Sequence, residues 1–277
     1  MRYNQTALLV DLDGTLLNTR GEVSIADRQA IADYIAGGGL FAIATGREPR
    51  NARKSLPGLP LPGPAIVLNG TGIYDFGTDR YVTTFPIDMA AAADVVNRCL
   101  ALELPLDIHV YTPEGILYVT PLEAAEPSFL QIHQPTAYAP MDKLLGMTWL
   151  KVLLLERVPG ALIPMRAYLR EQGYDKRLNL VEGTTDVVQV GLYQELLPIG
   201  VHKGTAVDAL RQIEPFTGRT FFAMGDYWND LEMLRAADVA CAPKNAIPEI
   251  QAVCAHVLPS HNDSAAAYLI RELMPRL

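Results

Sequence analysis

Two aspartates near the N-terminus, Asp11 and Asp13, have the type and spacing needed to hold a cation. They follow the apolar run 7–10, which is typical of a short strand buried on both faces, and they precede Gly14 and Thr15. Ligands of open α/β sheets bind beyond the carboxyl ends of the strands, so this position favours a functional site. Two carboxylates this close repel each other unless one is protonated or a positive group lies between them. A divalent cation is the simplest way to meet that condition.

Two other interpretations of this stretch compete with a cation site. Aspartate and glycine favour turns for backbone reasons alone, so five residues by themselves do not decide the question. An EF-hand loop that starts at Asp11 would place Thr15 and Glu22 at its fifth and twelfth positions. It fails because its sixth position is Leu16, where a glycine is needed, and because the preceding segment has the pattern of a strand.

Composition argues against several classes of function. The chain has 277 residues, of which 49% are hydrophobic, which is enough for one large domain or, as the better expectation, two. A net charge of −8 offers no general attraction for nucleic acid or acidic membranes. The apolar runs are far shorter than the roughly 20 residues that span a bilayer, and the N-terminus lacks the pattern of a signal peptide. We therefore expect a cytoplasmic protein with no nucleic-acid or membrane partner.

The cysteines and histidines do not have the spacing of a metal site. Cys99, Cys241 and Cys254 are odd in number, and we expect them to be free, mostly buried thiols. No two of the five histidines stand at the helical spacing of a ligand pair, so we interpret them as structural or surface residues.

Three strands are predicted in the first part of the chain, at 7–10, 40–44 and 65–68. A helical segment separates the first two, and the second strand ends at Thr45, which Gly46 and Arg47 follow. A strand, a helix and a strand in this order form a right-handed parallel unit. We therefore expect Thr45 to lie at the same edge of the sheet as Asp11.

The pattern changes between about residues 85 and 190. The predicted strands there are 106–111, 115–119, 149–155, 178–182 and 187–191, and the predicted helices are 88–102 and 161–172. Alternation of apolar and polar residues in the last strand suits a largely antiparallel sheet with one exposed face. We expect an α+β domain over 85–190, while 1–84 and 191–277 together carry the α/β pattern of a parallel sheet. The predicted fold class is α/β.

A second group of carboxylates follows where the α/β pattern returns. Lys203 begins a helix, and a buried strand at 220–224 leads into Asp226, Asn229 and Asp230. Taken alone, Lys203 would be interpreted as an exposed helix residue and the aspartates as helix caps. Their combination with the paired aspartates and with Thr45 at earlier strand ends is much more specific.

Together these groups resemble the four motifs of the haloacid dehalogenase-like superfamily. The matching stretches are Asp11-Leu12-Asp13-Gly14-Thr15, Thr45-Gly46-Arg47, Lys203-Gly204, and Gly225-Asp226 with Asn229-Asp230. The longer pattern Asp226-x-x-Asn229-Asp230-x-x-Met233, with Asn69-Gly70 and Asn245-Ala246, looks like the Cof-type branch. The resemblance implies a Rossmann-like core, a magnesium-dependent phosphatase activity and an α/β cap, and in this family an insertion between the second and third motifs marks the larger type of cap.

The resemblance also implies roles for the candidate residues. Asp11 would attack phosphorus to form an aspartyl phosphate, and Asp13 would act first as general acid and then as general base. The groups that would hold phosphoryl oxygens are Thr45, the Gly46 backbone and Lys203. The implied Mg²⁺ ligands are the Asp11 carboxylate, the Asp13 carbonyl and Asp226, with Asn229 and Asp230 completing or orienting the shell. Arg47 could contact substrate or pair with an aspartate near the site.

The expected function is hydrolysis of a small phosphorylated metabolite, such as a sugar phosphate or a phosphorylated cofactor, by a monomer or homodimer. A phosphotransferase or mutase with the same intermediate is an alternative, and phosphate release without an acceptor separates the two. A catalytically idle phosphate-binding module is the other alternative. Failure to turn over any phosphate ester with magnesium would support it.

Tyr227 and Trp228 depart from the family pattern, because members often carry smaller or polar residues there. Both aromatic residues could narrow the pocket. The favoured interpretation is that Trp228 packs beneath the loop, and contact with substrate is the alternative.

Overall fold

A computed structural model of the chain describes residues 3–119, 137–184 and 192–277. The chain divides into two compact units, of which the first comprises Met1–Thr83 with His202–Leu277 and the second comprises Thr84–Val201. The sequence pattern predicts the return to the core at residue 191. The structure places it at His202, because the strand Leu192–Pro198 pairs within the sheet of the second unit.

Strands and helices alternate over most of the described chain. The strands are β1 (Thr6–Val10), β2 (Leu40–Ile43), β3 (Pro64–Val67), β4 (Gly72–Asp75), β5 (Arg80–Thr84), β6 (Leu106–Thr112), β7 (Gly115–Tyr118), β8 (Ala137–Tyr138), β9 (Lys151–Glu156), β10 (Leu178–Thr184), β11 (Leu192–Pro198), β12 (Thr220–Met224), β13 (Val239–Pro243) and β14 (His256–Leu258). The α-helices are Ile25–Ala36, Pro49–Ser55, Met89–Ala101, Met141–Leu144, Ile163–Glu171, Lys203–Leu210, Leu231–Ala236, Pro248–Val253 and Ala265–Tyr268. None of the helices in these described ranges is long and apolar enough to cross a membrane.

The first unit is built on a five-stranded sheet in which every neighbouring pair is parallel. Its order is β14, β13, β12, β1, β2. Val10 at the end of β1 pairs with Ile43 of β2 on one side and with Met224 of β12 on the other, so these three strands end at the same edge of the sheet. The apolar runs predicted as strands lie here because both faces of the sheet are covered, and the residues of β1 from Ala7 to Val10 are fully buried.

The third strand extends this sheet through a single parallel bridge between Ala44 and Ile66. It also pairs with β4 in antiparallel register, within a small sheet of order β3, β4, β5. Sequence analysis predicts β3 but neither β4 nor β5. The short helix Pro49–Ser55 is also missing from the prediction.

The second unit contains a six-stranded mixed sheet of order β10, β11, β9, β6, β7, β8. Its pairs are antiparallel except β7 with β8. The helices Met89–Ala101 and Ile163–Glu171 contribute to a core that includes Val110 and Leu154 of the sheet and Trp149, which precedes β9. The predicted strand 187–191 lies outside the described residues, and β11 was not predicted.

Candidate active site

A buried ammonium group lies between two carboxylates in the first unit. Asp11 directly follows β1, and Lys203 begins the helix Lys203–Leu210. The Lys203 Nζ is 2.6 Å from Asp11 Oδ1 and 2.6 Å from Asp230 Oδ1, and the lysine side chain is 0% exposed. Both contacts are charge-assisted hydrogen bonds in a dry environment, so they fix the lysine in one position.

Asp226 joins these residues to form an acidic cluster. Oxygen atoms of Asp11, Asp226 and Asp230 all lie within 4.8 Å of one another. Three carboxylates face the one ammonium of Lys203, which leaves two negative charges in excess when all are ionised. Carboxylate oxygens are the ligands that hard divalent cations prefer, so the donor set and the charge of this cluster fit Mg²⁺.

Burial controls the acidity of the cluster. It raises the pKa of Asp11 well above the usual aspartate range, and Asp230 adds to this effect while Lys203 opposes it. Burial also raises the pKa of Asp226 to about 6. Burial lowers the pKa of Lys203, but the attraction of Asp11 and Asp230 outweighs it, so the pKa lies above the usual lysine value. A further positive charge in the cluster would therefore favour the ionised carboxylates.

Asp230 uses both of its carboxylate oxygens within the protein. Oδ1 accepts from Lys203, and Oδ2 accepts from the backbone N–H groups of Asp226 at 2.9 Å and Tyr227 at 3.3 Å. A Cβ at Gly225 would lie 2.5 Å from the Cβ of Asp230, so the turn needs glycine there. Asp230 therefore orients Lys203 and shapes the turn that carries Asp226.

The loop after β1 is held by two side chains from later in the chain. Thr15 Oγ1 donates to Asp226 Oδ1 at 2.7 Å, and Asn245 Nδ2 donates to the Gly14 carbonyl at 2.7 Å. Gly14 has φ +75°, and a Cβ there would lie 2.4 Å from Asp226 Oδ2. Sequence analysis assigns no role to Asn245, although the Asn245-Ala246 match pointed to this position.

Asp13 lies apart from the acidic cluster and pairs with Arg47. Arg47 Nε donates to Asp13 Oδ2 at 2.9 Å, and a second guanidinium nitrogen contacts Asp13 Oδ1. The Asp13 side chain is 62% exposed. Arg47 also donates to Ser55 Oγ, so its guanidinium is held on two sides. Of the two roles considered for Arg47, the structure shows the ion pair with an aspartate.

Thr45 and Gly46 meet the loop that follows β3. The Thr45 carbonyl accepts from the Asn69 N–H at 3.0 Å, and a Cβ at Gly46 would lie 2.8 Å from Asn69 Oδ1. Asn69 has a left-handed backbone, with φ +56°. Asn229 Nδ2 lies 3.4 Å from Asn69 Oδ1, so Asn229 reaches this loop. Gly70 approaches so closely that a Cβ would lie 2.3 Å from the His202 carbonyl, directly before Lys203.

Tyr227 and Trp228 project into solvent from the turn between Asp226 and Asp230. They are 55% and 52% exposed. The prediction that Trp228 packs beneath the loop is therefore wrong. Nothing in the local sequence gives the direction of an aromatic side chain in a turn, because that direction depends on how the backbone is held from elsewhere.

The predicted residues thus gather in three groups. Asp11, Lys203, Asp226 and Asp230 form the buried cluster. Thr45, Gly46 and Asn229 converge on Asn69, which belongs to the Asn69-Gly70 match in the sequence. Asp13 and Arg47 form a more exposed pair.

The chain matches the family of haloacid dehalogenase-like hydrolases over residues 8–270 and therefore belongs to it. It is 26% identical to the 5-amino-6-(5-phospho-D-ribitylamino)uracil phosphatase YwtE of Bacillus subtilis, with 96% of this chain and 97% of that protein covered. It is 26% identical to the HMP-PP phosphatase of Serratia proteamaculans, with 88% and 85% covered.

Among solved structures, TM0651 from Thermotoga maritima superposes with a TM-score of 0.79 at 23% identity, covering 98% of this chain and 97% of that one. This likeness shows the fold. The predictions of a haloacid dehalogenase-like hydrolase of the Cof type, of an α/β fold and of an enzyme that is a phosphoric monoester hydrolase are confirmed.

Proposed function

We propose that this protein is a magnesium-dependent phosphatase that hydrolyses a small phosphorylated metabolite through an aspartyl phosphate on Asp11. The observation that carries the proposal is the buried Lys203, held between Asp11 and Asp230 beside Asp226. Relatives that are named as phosphatases of small phosphorylated compounds support it.

Asp11 is the proposed nucleophile. Lys203 holds its Oδ1, which limits rotation of the carboxylate and prepares it for attack. A carboxylate oxygen bonds to phosphorus while the bond from phosphorus to the leaving oxygen breaks. Water then cleaves the aspartyl phosphate and restores the Asp11 carboxylate, so one difficult step becomes two easier ones.

Asp13 is the proposed acid and base. It gives a proton to the leaving oxygen in the first step and takes one from the attacking water in the second. Its exposed side chain is accessible to a bound ester, and the ion pair with Arg47 restricts its direction. Arg47 is thus proposed to act through Asp13.

The remaining groups are proposed to hold the transferred phosphoryl group. Hydrogen-bond donors suited to its oxygens are the Thr45 hydroxyl, the Gly46 N–H and the ammonium of Lys203, whose raised pKa keeps it charged at neutral pH. The Asp11 and Asp226 carboxylates and the Asp13 carbonyl would hold Mg²⁺, which supplies further neutralisation of phosphoryl charge. Asp230 serves as the orienting partner of Lys203.

The test is release of inorganic phosphate from a panel of phosphorylated metabolites. Turnover should require Mg²⁺, stop in excess chelator and return when Mg²⁺ is restored. Asp11→Asn should fall to background on every substrate, because no anionic nucleophile remains. Full activity in chelator, or an Asp11→Asn variant that still turns over, would contradict the proposal.

A second measurement separates the roles of the two aspartates. Asp13→Asn keeps the nucleophile but lacks the proton donor, which typically contributes about 10²–10⁴-fold. In the phosphorylation half-reaction, this variant should lose much less activity on an aryl phosphate with an acidic phenol than on an alkyl phosphate. Equal losses on both esters would mean that Asp13 is structural or that the proton comes from another group.

A further inference from the structure

Two adjacent aromatic side chains on the turn between Asp226 and Asp230 point to the substrate class. We propose that Tyr227 and Trp228 form an aromatic platform that stacks a planar ring in the leaving group, so that the preferred substrates are phosphate monoesters of alcohols that carry an aromatic or heteroaromatic ring. This inference rests on the proposed phosphatase function and concerns the same site.

The turn that carries Tyr227 and Trp228 is held in place by Asp230, a residue of the acidic cluster. Asp230 Oδ2 accepts from the N–H groups of Asp226 and Tyr227, and its other oxygen holds Lys203. Trp228 begins a 3₁₀ turn that ends at Asp230. Consecutive Cα atoms lie about 3.8 Å apart, so both rings start within two residues of a carboxylate of the acidic cluster. A ligand phosphate held at this cluster would place its leaving group within reach of such side chains.

The platform exposes about half of two large aromatic side chains that are neighbours in the sequence. Tyrosine and tryptophan bring a large apolar area that is stabilising only when it is covered. Among the described residues, neither ring takes part in a ring–ring or cation–ring contact, and the indole N–H of Trp228 has no hydrogen-bond partner. The other tryptophan, Trp149, is 1% exposed and donates to the Leu144 carbonyl at 2.8 Å. Core packing therefore accounts for Trp149 but not for Trp228.

The polar groups next to the platform suit the edge of a heteroaromatic ring. The side-chain amides of Asn69 and Asn229 meet at 3.4 Å, and Asn229 directly follows Trp228. An amide offers both a donor and an acceptor, as ring nitrogens and carbonyl groups require. Asn229 follows Trp228 in the chain, so its amide is a polar partner for a heteroaromatic ring held against Trp228, whereas a saturated chain would use neither feature.

Binding without turnover is the first test. Because Trp149 is buried and Trp228 is half exposed, the emission of the exposed indole reports contact with a ring. Titration of the wild type with benzylphosphonate and Mg²⁺ should change tryptophan emission in a saturable manner, and cyclohexylmethylphosphonate should change it much less. Trp228→Phe should abolish the response because only Trp149 remains. No saturable response in the wild type, or equal responses to both phosphonates, would overturn the platform.

Kinetic discrimination is the second test. Benzyl phosphate and cyclohexylmethyl phosphate have leaving groups of similar size, but only benzyl is flat. Trp228→Leu and Tyr227→Leu should each raise KM for benzyl phosphate about 2- to 10-fold, the usual range for one aromatic contact, with kcat nearly unchanged. KM for the saturated ester should change little, and Trp228→Phe should behave like the wild type.

Tyr268→Leu is the matched control, since Tyr268 is an aromatic residue of the same unit, 41% exposed, on the helix Ala265–Tyr268. It should leave both KM values unchanged. An equal rise in KM for the two esters in Trp228→Leu would overturn the inference. A change of oligomeric state in this variant, with the preference for benzyl phosphate over the saturated ester unchanged, would also overturn it, because the rings would then contact a second copy of the chain. If the wild type bound benzylphosphonate with the emission change but released no phosphate from any ester, the phosphatase proposal would fail while ring binding stood.

Discussion

At the scale of single residues, the balance of charge around Lys203 is the central feature. Lys203 is fully buried and meets two carboxylates, while Asp226 adds a third to the same cluster. An uncompensated charge in a dry site costs far more than an exposed one. The lysine therefore stabilises the fold as well as serving the proposed chemistry, and the cluster retains the negative charge that a divalent cation would meet.

Lys203→Met tests this balance directly. In metal-free protein at neutral pH, the variant should lose about 3–5 kcal/mol of unfolding free energy, the usual cost of breaking a buried ion pair by removing one partner. Added Mg²⁺ should raise the melting temperature more in the variant than in the wild type, because three carboxylates then lack any protein cation. Differential scanning calorimetry with and without Mg²⁺ measures both effects.

The control for this experiment is Lys54→Met, which removes an exposed ammonium from the same unit. It should change neither stability nor the Mg²⁺ increment by more than about 0.5 kcal/mol. Equal Mg²⁺ increments in Lys203→Met and the wild type would place the cation away from this cluster.

The positions of Asp11, Thr45 and Asp226 at one edge of the parallel sheet could be predicted from the sequence. Each of them follows a buried strand, and the direction of parallel strands is constrained. Sequence reasoning could not decide the partner of Arg47, whose long side chain reaches either a ligand or Asp13 with similar ease. It also missed the exposure of Trp228, because the contacts of Asp230 that hold the backbone of that turn do not give the direction of the indole.

At the scale of elements, strands with continuous apolar runs were predicted well, and strands that are short or interrupted by polar residues were missed. β11 was not predicted because Gln194 and Glu195 interrupt its apolar pattern, although both side chains are buried. Glu195 pairs with Lys151 on β9, and this contact between distant parts of the chain compensates the burial of its charge. The exposed strand β5 also lacks an apolar face. Such strands depend on partners that local periodicity does not reveal.

The helices of the second unit are joined by a polar contact that makes stability depend on pH. Asp94, on the helix Met89–Ala101, accepts from the hydroxyls of Tyr168 at 2.5 Å and Tyr174 at 2.7 Å. The hydroxyl of Tyr168, with that of Tyr174, lowers the pKa of Asp94. A lowered pKa in the folded state stabilises the protein above the ordinary aspartate pKa of about 3.9, and that contribution is lost as the pH falls through the lowered value.

The double variant Tyr168→Phe with Tyr174→Phe should therefore melt at a lower temperature than the wild type at pH 6. The difference should shrink as the pH falls from about 4 through the lowered pKa of the wild-type Asp94, because Asp94 is protonated in both proteins below that pKa. Tyr138→Phe, which removes a hydroxyl from an exposed tyrosine of the same unit, should give no such pH-dependent difference. A difference in melting temperature between the double variant and the wild type that stays constant from pH 6 to pH 3 would show that the hydroxyls act by packing alone.

At the scale of the whole molecule, the order of the chain separates two kinds of unit. The first unit is assembled from two segments, Met1–Thr83 and His202–Leu277, and β1 pairs with β12 across that separation. The second unit is one continuous segment with its own sheet and its own apolar core. The change from continuous apolar runs to alternating apolar and polar residues made the division into two units predictable. The predicted end of the second unit, at residue 190, was too early, because the unit ends at Val201.

This organisation predicts that the segment 84–201 folds by itself. Its six-stranded sheet and the core around Trp149 are made from its own residues, so none of the described strands of that sheet loses a partner when the segment is expressed alone. Circular dichroism should show mixed helix and strand and a cooperative thermal transition, and Trp149 should emit as a buried indole because it is the segment's only tryptophan. The segment 1–83 expressed alone is the contrast, because its β1 lacks β12 and it should remain unfolded. A segment 84–201 that melts without a cooperative transition would mean that the core of the second unit depends on the first.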